Sequence, residues 1–374
     1  MCSSFAGRPL SLPGCWSAIR SFTGLILFAV LSCLPAAAQN NQSFTTEQVA
    51  PNVYAFIRKE PPSLWFNPNN GLIVGKKYAV VIDSNISSYY TREILGEIRK
   101  LTDKPVRYVI NTHWHDDHII GNRVYREAYP DVQFIGQKST LTDLPNVASA
   151  NRKASVDNGQ GFVDLLKSQI AKGRDLAGKE ITHEERLGYS SDVDLVSSYL
   201  AEAPKFEIIP PDITVDERYE LDPVGEKIEI LFLGRAHTAA DLVVRLPKEN
   251  VVFSGDLTVW PVPLVGSTSF PLEYAATLEK LGALKAKTYV PGHGPVMHDR
   301  KYIDQMIGLL NSIKTQVTAA AARGETLDQA RTSVNLNEYR AKFCGDSQHK
   351  RFLFQNYVFL PATAAAYKQL KGGN

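Results

Sequence analysis

The chain has 374 residues, 44% of them hydrophobic and 21% charged, the balance of an ordinary globular protein, which excludes collagen-like, coiled-coil and intrinsically disordered classes. Its 41 basic side chains face 39 acidic ones; the first 38 residues hold two of the bases, Arg8 and Arg20, and no acid, so the remainder balances at 39 to 39. With no bulk field of either sign, a nucleic-acid or polyanion partner is not expected.

Residues 1–38 read as a secretory signal peptide. Arg8 and Arg20 flank an apolar stretch, Phe22 to Leu34, that is short for a bilayer span, and Ala36-Ala37-Ala38 supplies small residues for cleavage before Gln39. The mature chain is expected in the periplasm or outside the cell. An uncleaved anchor and a lipid-modified Cys33 are the alternatives. No second membrane span is expected after Leu34. Cys2, Cys15 and Cys33 fall in the leader, which leaves Cys344 alone and no internal disulfide possible. Stability must then come from packing and metal, with Cys344 read as a small, partly buried residue.

Past the leader, Val53 to Ile57, Leu72 to Val74 and Tyr78 to Ile82 have the composition and flanking breaks of strands. Thr91 to Leu101 spaces Ile94, Leu95, Ile98 and Leu101 as one helix face, and Val106 to Ile110 returns to strand character. After a further strand, Val132 to Ile135, residues 140–205 read as a helical insertion, with Phe162, Leu165, Leu166 and Ile170 on one face and Val193, Val196 and Leu200 on another. Strands resume from Phe206, with Ile228 to Leu233, Leu242 to Leu246 and Val251 to Phe253. The segment 296–374 reads as a helical extension: Ile303, Met306, Ile307, Leu310, Ile313 and Val317 form a stripe that stops before Gly324, and Thr326 with Gln329 makes a capping box for the next helix.

The chemistry concentrates after the Val106 to Ile110 strand, in His113-Trp114-His115-Asp116-Asp117-His118, an H-x-H-x-D-H motif. Its chance expectation in a chain of this composition is on the order of 10⁻⁴. In extended backbone, residues two apart point the same way, so His113 and His115 can converge on one metal while Asp117 and His118 face a neighbouring position. Imidazole with carboxylate suits zinc, and also iron.

At this motif the sequence resembles the metallo-β-lactamase superfamily. The match continues through Gly234-Arg235-Ala236-His237-Thr238, Phe253-Ser254-Gly255-Asp256 and Val290-Pro291-Gly292-His293-Gly294-Pro295. The resemblance implies an α/β fold of αββα type, two mixed β-sheets flanked by helices, with the metals at one edge. It implies that His113, His115 and His237 hold one ion, that Asp117, His118 and His293 hold a second, and that Asp256 bridges them. The catalytic domain is then expected over 45–295, the match running from about Val53 to Pro295 apart from the insertion. His183, His298 and His349, outside this set, read as surface or capping residues.

Two dications lower the pKa of a shared water toward about 7, so a bridging hydroxide can attack a substrate carbonyl while Asp117 orients it. Ligand histidines must be neutral and are not general bases. Asp256 stands where the cysteine-ligand zinc β-lactamases have cysteine, and Val259 where they have a lysine for the drug carboxylate, which points away from efficient penicillin hydrolysis. A small carbonyl substrate is expected: a lactone, a lactam-like amide or a thioester. A mononuclear iron sulfur dioxygenase on the same ligands and a non-catalytic metal-binding accessory protein are the alternatives. Pro61-Pro62-Ser63-Leu64-Trp65-Phe66, with Trp114 and Trp260, is the candidate substrate wall, at a position where the superfamily often carries a mobile flap. Trp65 and Phe66 packing under the loop is the plainer reading.

Overall fold

The computed structural model describes residues 42–221 and 227–372, so the expected leader and Cys33 lie outside the described residues. Among those residues, seven strands form one sheet: β1 (Phe44–Ala50), β2 (Val53–Arg58), β3 (Asn70–Val74), β4 (Ala79–Ile82), β5 (Val106–Ile110), β6 (Gln133–Gln137) and β7 (Ile213–Val215), in that spatial order. The pairs from β1 to β4 are antiparallel and those from β4 to β7 parallel. Five more form a second sheet: β8 (Arg218–Leu221), β9 (Ile228–Phe232), β10 (Leu242–Leu246), β11 (Val251–Val259) and β12 (Thr288–His293), ordered β12-β11-β10-β9-β8 with only β11 and β12 parallel.

The period-two alternation of side chains decides how these sheets pack. Val53, Ala55 and Ile57 of β2, Val80 and Ile82 of β4, and Leu242, Val244 and Leu246 of β10 share one core between the sheets. The alternate residues, Phe56, Ala79 and Val81, face outward onto Ile94, Leu95 and Ile98 of α1 (Ser88–Leu101). α1 ends with Arg99 and Lys100 in its last turn, where cations suit the helix dipole. α2 (Asp116–Ile119) carries the end of the histidine motif, and α3 (Asn122–Ala128) adds Val124 and Tyr125 to the outer core. On the other side, Val243, Val252 and Tyr289 meet α7 (Pro271–Ala283) and α8 (Lys301–Ala322), where Ile303, Met306, Leu310, Ile313 and Val317 of the predicted stripe are buried and Ile307 is partly buried. The result is the expected helix–sheet–sheet–helix arrangement.

Residues 140–205 contain α4 (Thr140–Asp143), α5 (Ser149–Lys172) and α6 (His183–Glu202), with short irregular turns at 144–148 and 203–205. α6 begins with a capping box from Thr182 and Glu185, and α5 packs so closely on it that a Cβ on Gly159 would stand 2.9 Å from Leu200 Cδ2. After α8 come α9 (Leu327–Ser333), opened by the predicted Thr326–Gln329 capping box, then α10 (Asn337–Cys344), α11 (Gln348–Phe354) and α12 (Leu360–Leu370). Cys344 is 3% exposed, and burial pushes its thiol up to about 11, which makes it unreactive. No described helix is long and apolar enough to cross a membrane.

Four details differ from the sequence expectation. β1 went unread because FTTEQVA has one buried residue in seven and carries little apolar signal. Phe206 to Asp212 is not a strand, and the sheet resumes only at Ile213. Leu165 is 37% exposed, while Leu166, Phe162 and Ile170 of the expected face do pack with Tyr189 and Val193 of α6. β11 runs on to Val259 through irregular register at Gly255, so Ser254 and Asp256 lie inside a strand rather than at its end.

Candidate metal centre

The sandwich gathers the motif residues at one edge. The loop after β5 delivers His113 and His115, the short α2 delivers Asp117 and His118, and the loop after β9 delivers His237. Asp256 comes from the irregular part of β11 and His293 from the last residue of β12. Gly255 adopts φ +50° there, a conformation that costs glycine least, and its Cα faces Thr112 at a distance where a Cβ would stand 2.7 Å away. Gly292 lets Asp256 in: a Cβ on it would fall 1.9 Å from Asp256 Oδ1.

The structure brings all seven predicted side chains together. Ligand atoms of His113, His115 and His237 lie within 4.8 Å of one another, as do those of Asp117, His118 and His293, and those of His113, His118 and Asp256. Asp256 straddles the two sets: Oδ1 is 3.3 Å from both His118 Nε2 and His293 Nε2, and Oδ2 is 3.5 Å from His237 Nε2 and 4.0 Å from His113 Nε2. Asp117 Oδ2 lies 3.3 Å from His118 Nε2 and 3.4 Å from His293 Nε2. A tetrahedral ion with bonds of about 2.0–2.1 Å needs ligand atoms roughly 3.3 Å apart, so these separations fit a cation.

Hydrogen bonds on the far side of each ring decide which nitrogen faces the cluster. His237 Nδ1 donates to the Leu264 carbonyl at 3.1 Å and His293 Nδ1 to the Asn67 carbonyl at 2.9 Å; a carbonyl only accepts, so both rings turn an Nε2 lone pair inward. His118 Nδ1 meets Asp83 Oδ2 at 2.9 Å with the same effect. Thr112 Oγ1 donates to Asp83 Oδ2 at 2.8 Å and is left to accept from His113 Nδ1 at 3.2 Å. His115 is reversed: Nε2 meets Thr268 Oγ1 at 3.2 Å, and Nδ1 faces His237 Nε2 at 2.9 Å.

Burial then makes the cluster unsatisfied on its own. His113 Nε2, His118 Nε2, His293 Nε2 and Asp256 Oδ1 are buried without a hydrogen-bond partner, and they converge on one space. Each such atom costs roughly 1–3 kcal/mol unless something occupies that space. Burial drives His113 well below the ordinary histidine range and His115 to about 3, helped by neighbouring imidazoles, and lowers His237 as well. Burial also pulls on His118 and His293, but nearby carboxylates outweigh it and raise both, His293 to about 9. Asp117 and Asp256 are held below the usual carboxylate range by those histidines despite burial. A divalent cation in that space would displace the protons of His118 and His293, leaving neutral imidazoles beside ionised carboxylates, which is a donor set for such a cation.

A family model described as the metallo-beta-lactamase superfamily matches residues 64–293, more than half of the chain. The chain belongs to the metallo-beta-lactamase superfamily. Its seven clustered His/Asp side chains form groups that could hold metal ions. It is 23% identical over 303 residues to the linear primary-alkylsulfatase of Pseudomonas sp. (strain ATCC 19151), an alignment covering 75% of this chain and 53% of that one. It is 20% identical over 309 residues to the metallo-beta-lactamase type 2 of Bacteroides fragilis, covering 75% and 94%. Among solved structures it is similar to the stereoselective inverting sec-alkylsulfatase Pisa1 from Pseudomonas sp., with a TM-score of 0.58 at 15% identity over 87% of this chain and 50% of that one. The chain thus spans about half the length of the two alkylsulfatases.

Around the superfamily centre, sequence reasoning missed the supporting residues Asp83, Thr112 and Thr268. Asp83 had a signal: an acid directly after the fully buried strand Ala79–Ile82, in the left-handed region at φ +59°. His349, expected at the surface, is instead 1% exposed and donates through Nε2 to the Pro62 carbonyl at 2.6 Å. His183 and His298 are exposed as expected. Trp114 is only 2% exposed, and Val259 is buried in β11. Trp65 stacks on Tyr199 at 5.1 Å between ring centroids and Phe66 on His293 at 3.9 Å, so both rings are partly packed and still line the cleft beside the cluster.

Proposed function

We propose that the chain is a dinuclear zinc hydrolase, exported through the leader at residues 1–38, that cleaves an ester-like carbonyl bond in a small lactone, lactam-like amide or thioester. The observation that carries this reading is Asp256, whose two oxygens face two different sets of imidazoles at 3.3–4.0 Å. Two zinc ions held by His113, His115 and His237 and by Asp117, His118 and His293, with Asp256 shared, would supply an acidic water as nucleophile and a Lewis acid for the carbonyl.

The chain's own residues set the rest. His115 and Asp117 are the members of the cluster that are part-exposed, so substrate meets the centre on their side. Asp117 accepts a hydrogen bond from the attacking water and orients it toward the carbonyl carbon. Water adds across the C–O, C–N or C–S bond; the acyl part leaves as an acid and the proton goes to the alcohol, amine or thiol. No serine or cysteine nucleophile takes part, in keeping with the burial of Ser254, whose hydroxyl meets Thr258 Oγ1 at 2.6 Å.

A second reading, hydrolysis of a sulfate ester, is favoured by the likeness to the linear primary-alkylsulfatase over 75% of this chain. The deciding experiment purifies the exported chain without added metal, measures its zinc and iron, and assays lactone, β-lactam, thioester and alkyl sulfate hydrolysis with and without chelator. About two zincs with chelator-sensitive lactone or thioester cleavage supports the first reading; cleavage of the sulfate alone supports the second. One iron with oxygen uptake on a persulfide excludes both. A mature N-terminus at Gln39 checks the export assignment.

A further inference from the structure

The helical insertion and the C-terminal extension meet over a second pocket, of about 360 Å³. Asp143 ends α4, Val147 lies in the turn that follows, Phe270 precedes α7, and Ala365 stands on α12, outside the residues that the family model matches. None of the seven clustered His and Asp side chains lines this pocket. Trp114, from between His113 and His115, is the side chain that it shares with the cleft beside the cluster. An apolar cavity of roughly 150 Å³ accommodates a benzene ring, so this pocket takes a ring together with a substituent. Val147, Ala239, Phe270 and Ala365 give it an apolar wall for such a ring.

Two residues of the lining each hold a buried polar atom without a hydrogen-bond partner. Trp114 Nε1, in a side chain only 2% exposed, is a donor, and Asp143 Oδ2 is an acceptor. The two groups are neighbours: burial raises the Asp143 carboxyl, and the indole N–H beside it, with Ser139, offsets only part of that rise. Buried polar atoms are nearly all partnered in folded proteins, so an orphan donor next to an orphan acceptor marks a place for a ligand that carries one of each. The polar groups around them are already engaged. Thr268 Oγ1 meets His115 Nε2 at 3.2 Å, Ser269 Oγ donates to the His237 carbonyl at 3.0 Å, and Gln369 Oε1 accepts the Leu272 N–H at 3.1 Å. Arg235 bonds Glu273 at 2.5 and 3.0 Å, and its guanidinium lies 4.4 Å over the Phe270 ring. A carboxamide or an alcohol supplies a donor and an acceptor from one neutral group, whereas an ester or a carboxylate supplies acceptors alone and leaves Asp143 Oδ2 facing oxygen.

We propose that this pocket is a second ligand site, apart from the metal cluster, for a neutral ring-bearing molecule whose carboxamide or hydroxyl group accepts from the Trp114 indole and donates to Asp143. The site stands whichever bond the chain cleaves, because no step of the proposed hydrolysis passes through it. The test uses the full metal-loaded chain in calorimetry and saturation-transfer NMR. Benzamide and benzyl alcohol are the probes, and methyl benzoate and benzoate, which accept and do not donate, are the controls. At least one probe is expected to bind about tenfold or more tightly than both controls, the selectivity that one lost hydrogen bond to a buried partner gives. Ala365→Phe, which fills the pocket from α12, and Asp143→Ala, which removes the acceptor and leaves α12 untouched, are each expected to weaken that binding by about tenfold or more. A chelator that strips the metal is expected to leave it unchanged. Methyl benzoate binding as tightly as both probes reduces the pocket to an apolar hole and overturns the proposal, and tighter binding of benzoate overturns it in favour of an anion site. Binding indifferent to Asp143→Ala, or abolished by the chelator, places the probe elsewhere and overturns it too. So does the absence of saturable binding by either probe, which would leave the two orphan atoms to water.

Discussion

Asp83 Oδ2 lies 2.9 Å from His118 Nδ1, and both side chains are almost fully buried. The same carboxylate takes the Thr112 N–H at 2.7 Å and the Thr112 hydroxyl at 2.8 Å, so one acid orients His118 directly and His113 through Thr112. Removing such an outer partner typically weakens metal affinity 10- to 100-fold. Asp83→Ala is accordingly expected to lose metal to a competing chelator at a 10- to 100-fold lower chelator concentration than the parent. An unchanged competition curve would show that the acid does not organise the centre.

Gly292 makes room for Asp256, since a Cβ there would sit 1.9 Å from Oδ1. Gly292→Ala must push the carboxylate out of position, and overpacking of this kind costs about 1–3 kcal/mol. The expected outcome is a lower melting temperature together with less than the parent's metal content. A stable variant with full metal occupancy contradicts the proposed place of Asp256.

Without metal, the centre makes folding stability depend on pH with a definite sign. Burial lowers His293, but Asp256 and Asp117 outweigh it and raise it to about 9, and His118 is raised by Asp117, Asp83 and Asp256. An unfolded histidine titrates near 6.5, so this stabilisation is fully present below about pH 6.5 and is lost as pH rises through about 9. Asp192 and Asp241, which burial raises to about 7, act in the same direction between roughly pH 4 and 7. The chelated protein is expected to melt at a lower temperature at pH 9 than at pH 6.5. Metal must displace the same protons, so apparent metal affinity is expected to climb over that range. A melting temperature of the chelated protein that rises with pH would remove this account.

Arg152 and Asp116 form a pair whose side chains are 10% and 16% exposed, and Tyr199 completes it. Taking away one member of a buried pair leaves the other charge uncompensated, at a cost of roughly 3–5 kcal/mol. Arg152→Met is expected to destabilise the chain by about that amount in chemical denaturation. Arg152→Met with Asp116→Asn should recover part of the loss, and a single variant within about 0.5 kcal/mol of the parent would show the pair to be incidental.

The centre was legible because its residue types are rare in combination and follow strands that announce themselves. His113 and His115 come shortly after the apolar run of β5, and β2, β4 and β10 stood out by their valine- and isoleucine-rich composition. What failed depended on contacts between distant parts of the chain. His349 looked like a surface residue because its neighbours are polar, and it is buried by a carbonyl 287 residues away. The loop at 61–66 looked like a flap because prolines and aromatics do not reveal Asp192, His349 and Tyr357, the three side chains that tie it down. β1 was invisible because an edge strand with one buried residue in seven leaves no period to read.

The most direct test of the dinuclear centre is metal stoichiometry, by elemental mass spectrometry, of the chain purified without added metal, beside that of Asp256→Ala. The parent is predicted to carry about two zincs per chain and the variant no more than one, with hydrolysis reduced on the order of a thousandfold. Equal metal content and equal hydrolysis in the two proteins would contradict the claim that Asp256 joins two metal positions.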